Sequence, residues 1–121
     1  MHELAVAESI LDIAKSEMDK HKLRSISSIC VRVGALSDIV PEALRFGFEV
    51  LVTGTEMAGT MLEIETVAVK GRCQNCHRDF EVFDYIFECP LCNSREIELA
   101  QGDELDIAYM EVEDEEVEWN S

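Results

Sequence analysis

The hydrophobic pattern alternates between two periods. From residue 4 to 22, Leu4, Ala7, Ile10, Leu11, Ala14 and Met18 recur at helical spacing, while Glu8, Asp12, Lys15, Asp19 and Lys22 lie largely elsewhere. Residues 26 to 34 then switch to period two, with Ile29, Val31 and Val33 on one face of a strand and Cys30 and Arg32 on the other. A small buried hydrophobe is the plain reading of Cys30. Asp38 and Pro41 announce a second helix, since proline is tolerated in the first turn. Its stripe is Leu44, Phe48, Leu51 and Val52, and Gly54 offers a stop. Leu62 and Ile64 alternate with Glu63 and Glu65 in a second strand running to about Lys70, and Leu105, Ile107 and Tyr109 write a third.

This order predicts an α+β (α/β) fold, two helices on one face of a three-stranded sheet. Residues 71–102, bounded by Gly71 and Gly102, differ in composition: they hold Phe80, Phe83, Tyr85, Phe87 and four cysteines. They read as an inserted zinc-ribbon-like module. The expected organisation is 1–70 with 103–112 as an α/β domain, 71–102 as the module and 113–121 as a solvated acidic tail.

Charge narrows the partners. Ten basic residues against 26 acidic ones give a formal net charge of −16, a field that repels phosphate backbones and makes nucleic acid a poor partner. A cation or a cationic protein fits better. No apolar run reaches the ~18–20 residues that span a bilayer, and Met1-His2-Glu3-Leu4 lacks the basic region of a secretory signal, so a cytoplasmic protein without a membrane role is expected.

The cysteines carry the clearest chemistry. Cys73, Cys76, Cys89 and Cys92 follow the spacing Cys-x2-Cys-x12-Cys-x2-Cys, two tight turns that can aim four thiolates at one point. Structural Zn(II) is the favoured ion, because four thiolates close a tetrahedron and leave no site for water. Iron, as a rubredoxin-like or [4Fe–4S] centre, also accepts four thiolates. A redox pair leaves the second cysteine pair unexplained. Cys73-Gln74-Asn75-Cys76-His77 matches the c-type haem attachment pattern, but that chemistry needs export. His77 is either a surface residue of the knuckle or a pH-sensitive neighbour and alternative ligand. No open zinc position, nucleophile–base pair or glycine-rich phosphate loop points to an enzyme.

The amino terminus adds a second metal chemistry. A methionine before histidine is ordinarily retained, so Met1 is expected to keep its amine. The His2 imidazole and the backbone nitrogens of His2 and Glu3 can form adjacent chelate rings, a nitrogen set that suits planar Ni(II) or Cu(II) better than Zn(II). The Glu3 carboxylate is an orienting group or part of a docking surface. His21, roughly 28 Å away along the helix at ~1.5 Å per residue, does not share that site.

Met1-His2-Glu3 at the chain start, Arg32-Val33-Gly34, Pro41-Glu42-Ala43-Leu44-Arg45-Phe46 and the double Cys-x-x-Cys together resemble the hydrogenase nickel-incorporation protein HypA family, over essentially the whole chain. The resemblance implies a metallochaperone that delivers nickel during [NiFe]-hydrogenase maturation, in some bacteria also to urease. It implies a nickel site on Met1, His2 and Glu3 and structural zinc on Cys73, Cys76, Cys89 and Cys92. It also implies work with a GTPase maturation partner and the hydrogenase large-subunit precursor, with a homodimer among the candidate assemblies. Some family members complete the nickel site with a histidine from the zinc module. Here His77 is the only histidine of that module and residue 98 is Glu98, so the fourth ligand stays open. The alternative function is a zinc-ribbon protein–protein interaction module without a nickel role.

Overall fold

In the computed structural model, residues 2–112 are described; Met1 and the expected acidic tail at 113–121 lie outside them. Two helices and six strands follow in the order α1 (Glu3–His21), β1 (Ile26–Gly34), α2 (Pro41–Val52), β2 (Met61–Val67), β3 (Lys70–Cys73), β4 (Asp79–Glu81), β5 (Ile97–Gln101) and β6 (Leu105–Val112), with a 3-10 turn at Ala35–Ser37. The strands form two three-stranded sheets, ordered β2-β1-β6 and β4-β3-β5. The fold is α+β, as the hydrophobic periodicities predict.

The chain divides into two compact units. Of the described residues, one comprises 2–31, 39–65 and 106–112; the other comprises 32–38 and 66–105.

The first unit holds the helices. α1 buries Val6, Ala7, Ile10, Leu11 and Ala14, the stripe expected from period 3.6, but Leu4 at its start stays half exposed. The helix ends because Lys22 takes a left-handed conformation (φ 54°), and the N–H of Leu23 turns back onto the Met18 carbonyl at 2.9 Å. α2 begins with Pro41 directly after Val40, whose extended backbone starts the helix and whose carbonyl accepts the Leu44 N–H at 3.0 Å. It buries Leu44, Gly47, Phe48 and Val52. Thr53 closes it, and Gly54 follows in the turn with φ 78°.

β1 is the central strand, and the alternation expected for it is only half visible. Ile29 and Val31 are fully buried, yet Ser28 and Cys30 on the other face are buried too. The reason is cover from β6. Ser28 Oγ donates to the Glu111 carboxylate at 2.7 Å, and the Tyr109 phenol hydrogen-bonds Cys30. The plain reading of Cys30 as a buried small residue holds.

The second unit holds the other sheet. β3 pairs antiparallel with β4 (Lys70↔Glu81, Arg72↔Asp79) and with β5 (Arg72↔Glu98, Cys73↔Ile97), the latter with a bulge between Lys70 and Gly71. The single strand expected to run from 62 to 70 therefore breaks at Ala68–Val69 into β2 and β3, which serve different sheets. Gly34 belongs to this unit. Its N–H donates to the Glu104 carbonyl at 2.7 Å, and a Cβ there would stand 2.1 Å from the Gly102 carbonyl oxygen.

Candidate metal centre

The first cysteine pair opens on the last residue of β3, the second lies in the irregular stretch between β4 and β5, and each is wrapped by its own backbone. In the first knuckle, Cys73 accepts the Cys76 N–H on its sulfur at 3.4 Å, and its carbonyl accepts the His77 N–H at 2.8 Å. The second knuckle repeats the device, with the Asn93 N–H donating to the Cys89 carbonyl at 2.9 Å. Both turns end in a left-handed residue at the fourth position after the first cysteine, His77 (φ 64°) and Asn93 (φ 61°). The two knuckles are thus local copies of one another.

The result is a four-sulfur cluster whose Sγ atoms all lie within 4.8 Å of one another. The Cys73–Cys92 and Cys76–Cys89 separations are each 3.5 Å. A tetrahedron with Zn–S distances near ~2.3 Å has edges of roughly 3.8 Å, so small side-chain adjustments seat such an ion among the four sulfurs. Cys73 and Cys89 are fully buried, while Cys92 faces solvent and takes a hydrogen bond from the Asn75 amide at 3.5 Å. His77 is exposed and outside the cluster; its place is the turn-closing position.

Electrostatics prepare the set for a cation. Backbone N–H groups hold Cys73 and Cys89 below the ordinary thiol range, from Cys76 and Cys92 respectively, and the Asn75 side-chain amide does the same for Cys92. Cys76 differs. The Arg78 N–H draws it down, but burial and contact with the sulfurs of Cys89, Cys73 and Cys92 prevail and push it up to about 11. The three lowered thiols favour the thiolate form that a cation binds, and a bound cation would also draw the proton from Cys76.

The amino-terminal residues occupy a different unit. His2 is the N-cap of α1, exposed, in extended conformation (φ −81°, ψ 134°), and its side chain makes no capping bond. Its carbonyl accepts the Val6 N–H at 3.1 Å, so the backbone is anchored while the imidazole projects freely. Glu3 Oε2 accepts the Val40 N–H at 2.9 Å, which is the first cause of a carboxyl held below its usual range. This bond links the starts of α1 and α2 and was invisible in the pattern along the chain. Met1, the third residue of the expected nickel set, lies outside the described residues.

The family model for "Hydrogenase/urease nickel incorporation, metallochaperone, hypA" matches residues 1–112. The hydrogenase maturation factor HypA of Acidithiobacillus ferrooxidans is 39% identical over 113 residues, 93% of this chain and 100% of that protein. The namesake from Desulfitobacterium hafniense is 32% identical over 114 residues, 94% of this chain and all of its own length. The solution structure of the Ni metallochaperone HypA from Helicobacter pylori superposes with a TM-score of 0.65 at 22% identity, covering 93% of this chain and 97% of that one, a likeness of fold. A second HypA solution structure gives 0.71 at 23% identity, with the same coverage. A match over residues 1–112, together with a four-cysteine cluster shaped for zinc, establishes that this chain belongs to the HypA family of nickel metallochaperones for hydrogenase and urease.

Proposed function

We propose that nickel is carried at the amino terminus, on His2 with the Met1 amine and the neighbouring backbone nitrogens, and that zinc is held on Cys73, Cys76, Cys89 and Cys92. The observation that supports the first assignment is local. The His2 imidazole is exposed and unused for capping, at the start of a helix whose next residue, Glu3, is tied to Val40. The ligand-bearing end is thereby tethered at a helix start, whose first backbone nitrogens have no carbonyl partner within the helix, which favours chelation. Glu3 serves this site as a tether, since its carboxylate is already committed to a backbone N–H.

The zinc assignment rests on donor chemistry and separation, four sulfurs within 4.8 Å of each other. Zinc there has a structural duty: a closed tetrathiolate offers no open position, and metal binding stabilises a module with little core of its own.

Delivery follows as the work of a binding and transfer protein without catalysis. Its partners are a GTPase maturation factor and the hydrogenase large-subunit precursor, with urease maturation a second destination, and its place of action is the cytoplasm. No described helix is long and apolar enough to cross a membrane. The alternative, an interaction module without a nickel role, draws no support from the family match.

Ni(II) titration of the zinc-loaded chain, followed by the d–d absorption of planar nickel, tests the site. His2→Ala is expected to abolish the planar species, and so is a fused amino-terminal tag that blocks the amine. Undiminished planar binding in the variant refutes the assignment.

A further inference from the structure

The second unit carries an apolar surface that neither metal uses. Phe83, Tyr85 and Ile86 stand 65%, 69% and 61% exposed, on a turn between β4 and the second cysteine knuckle. The turn places two consecutive non-glycine residues in the left-handed region, Asp84 (φ 54°) and Tyr85 (φ 60°), and closes with the Ile86 N–H on the Phe83 carbonyl at 3.0 Å. Burial does not hold these side chains, for they project outward. Beside the turn lies a hollow of about 320 Å³ with Leu36, Val69, Phe83 and Tyr85 along its apolar wall and Glu81 and Asp84 on its rim.

We propose that this hollow and the Phe83–Ile86 turn form a docking surface for a basic amphipathic segment of a partner protein. The apolar wall supplies the contact area, and aromatic side chains are the residues that dominate such interfaces. The rim decides the occupant. Neither the Glu81 nor the Asp84 carboxylate has an ion-pair or hydrogen-bond partner among the described residues, so each is available to a lysine or arginine whose aliphatic stem lies along the wall. A second copy of this chain is disfavoured, because each copy carries a net charge of −16 and the acidic rims would face like charge. The same repulsion argues against the chain's own terminal run Glu113-Asp114-Glu115-Glu116 as occupant. The surface stands apart from the nickel assignment and does not depend on it.

The test uses the full zinc-loaded chain and a synthetic helical peptide about 18 residues long with a leucine stripe flanked by lysines. Two controls accompany it: the same peptide with glutamates for lysines, and one with serines for the leucines. Anisotropy titration is expected to show binding of the leucine–lysine peptide alone, with amide shifts at Leu36, Val69 and Phe83–Ile86. The double variant Phe83→Ser/Tyr85→Ser should weaken binding at least about tenfold, and Glu81→Gln/Asp84→Asn comparably, while zinc content and nickel binding stay unchanged. Equal binding of the serine–lysine peptide would mean plain charge attraction and overturn the proposal. So would equal binding of the glutamate peptide, amide shifts confined to other residues, or self-association that disappears in the Phe83→Ser/Tyr85→Ser variant.

Discussion

Two side chains show how single residues acquire duties that their neighbours in sequence do not disclose. Glu3 accepts the N–H of Val40, a residue 37 positions away, which starts α2. The bond joins two helix starts through an acceptor whose negative charge also suits the helix end. Glu3→Gln keeps an acceptor oxygen and should melt close to the parent, whereas Glu3→Ala should melt earlier; thermal unfolding followed by circular dichroism measures both. Equal melting points for all three proteins would remove the tether. Tyr109 makes a comparable link on the other face of the first sheet. Its hydrogen bond to Cys30, with the nearby charges of Glu63 and Glu111, holds the phenol above its usual range. A folded-state value above the unfolded one means that this stabilisation is complete below the unfolded tyrosine value, near ~10, and is lost as pH rises through the folded value. The absorbance component at 295 nm that disappears in Tyr109→Phe should therefore titrate above ~10 in the parent and lower in Cys30→Ala.

At the scale of elements, the helices were legible and the second sheet was not. α1 and α2 announce themselves because their core faces recur at 3.6 residues and because Pro41 can only begin a helix. β1 was legible as a strand but not as a central one, since Ser28 and Cys30 are buried by partners on β6 some 80 residues later. The strands β3, β4 and β5 are three to five residues long and carry Lys70, Arg72, Asp79, Glu96-flanked Ile97 and Glu98, too polar and brief for periodicity to register. The cysteine spacing nevertheless read the cluster correctly, because a metal site is set by ligand type and turn length rather than by burial. The knuckle duty of His77 lies in its left-handed backbone, which the spacing of the cysteines does not disclose. Two tests belong here. Chelating the metal, or replacing Cys76 with Ser, should erase the amide dispersion of residues 70–101 while α1 and α2, with a core of their own, keep their helical signal; loss of both together would show one cooperative unit. Gly34→Ala should destabilise by about 1–3 kcal/mol in denaturant unfolding, since its Cβ would fall on backbone at Gly102, and Gly102, with φ 126° against Val69, cannot turn aside easily.

Over the whole molecule, one number acts in two directions. The excess of 26 acidic over 10 basic residues makes the compact state repel itself, and it also draws cationic partners and cations from a distance. Ten basic residues can pair with only a minority of the 26 acidic ones, so close pairing cannot neutralise the field. Arg72 and Asp79 form a two-point bridge at 2.8 and 3.2 Å, but it is exposed and sits on the sheet that carries Cys73. Exposed pairs of this kind contribute little, so most of the repulsion remains to be screened by salt. The Debye length falls from ~30 Å at 0.01 M to ~3 Å at 1 M, spanning the separations between charges on a chain of this size. Raising salt should therefore raise the melting temperature of the zinc-loaded protein. The same salt should weaken the docking of a lysine-bearing segment, chiefly through a slower association rate, because steering is what long-range fields provide. Stability and partner binding are thus expected to move oppositely along one salt series. If both rise, apolar contact dominates the docking surface and the acidic rim at Glu81 and Asp84 is incidental; if both fall, specific ion pairs within the fold outweigh its net repulsion.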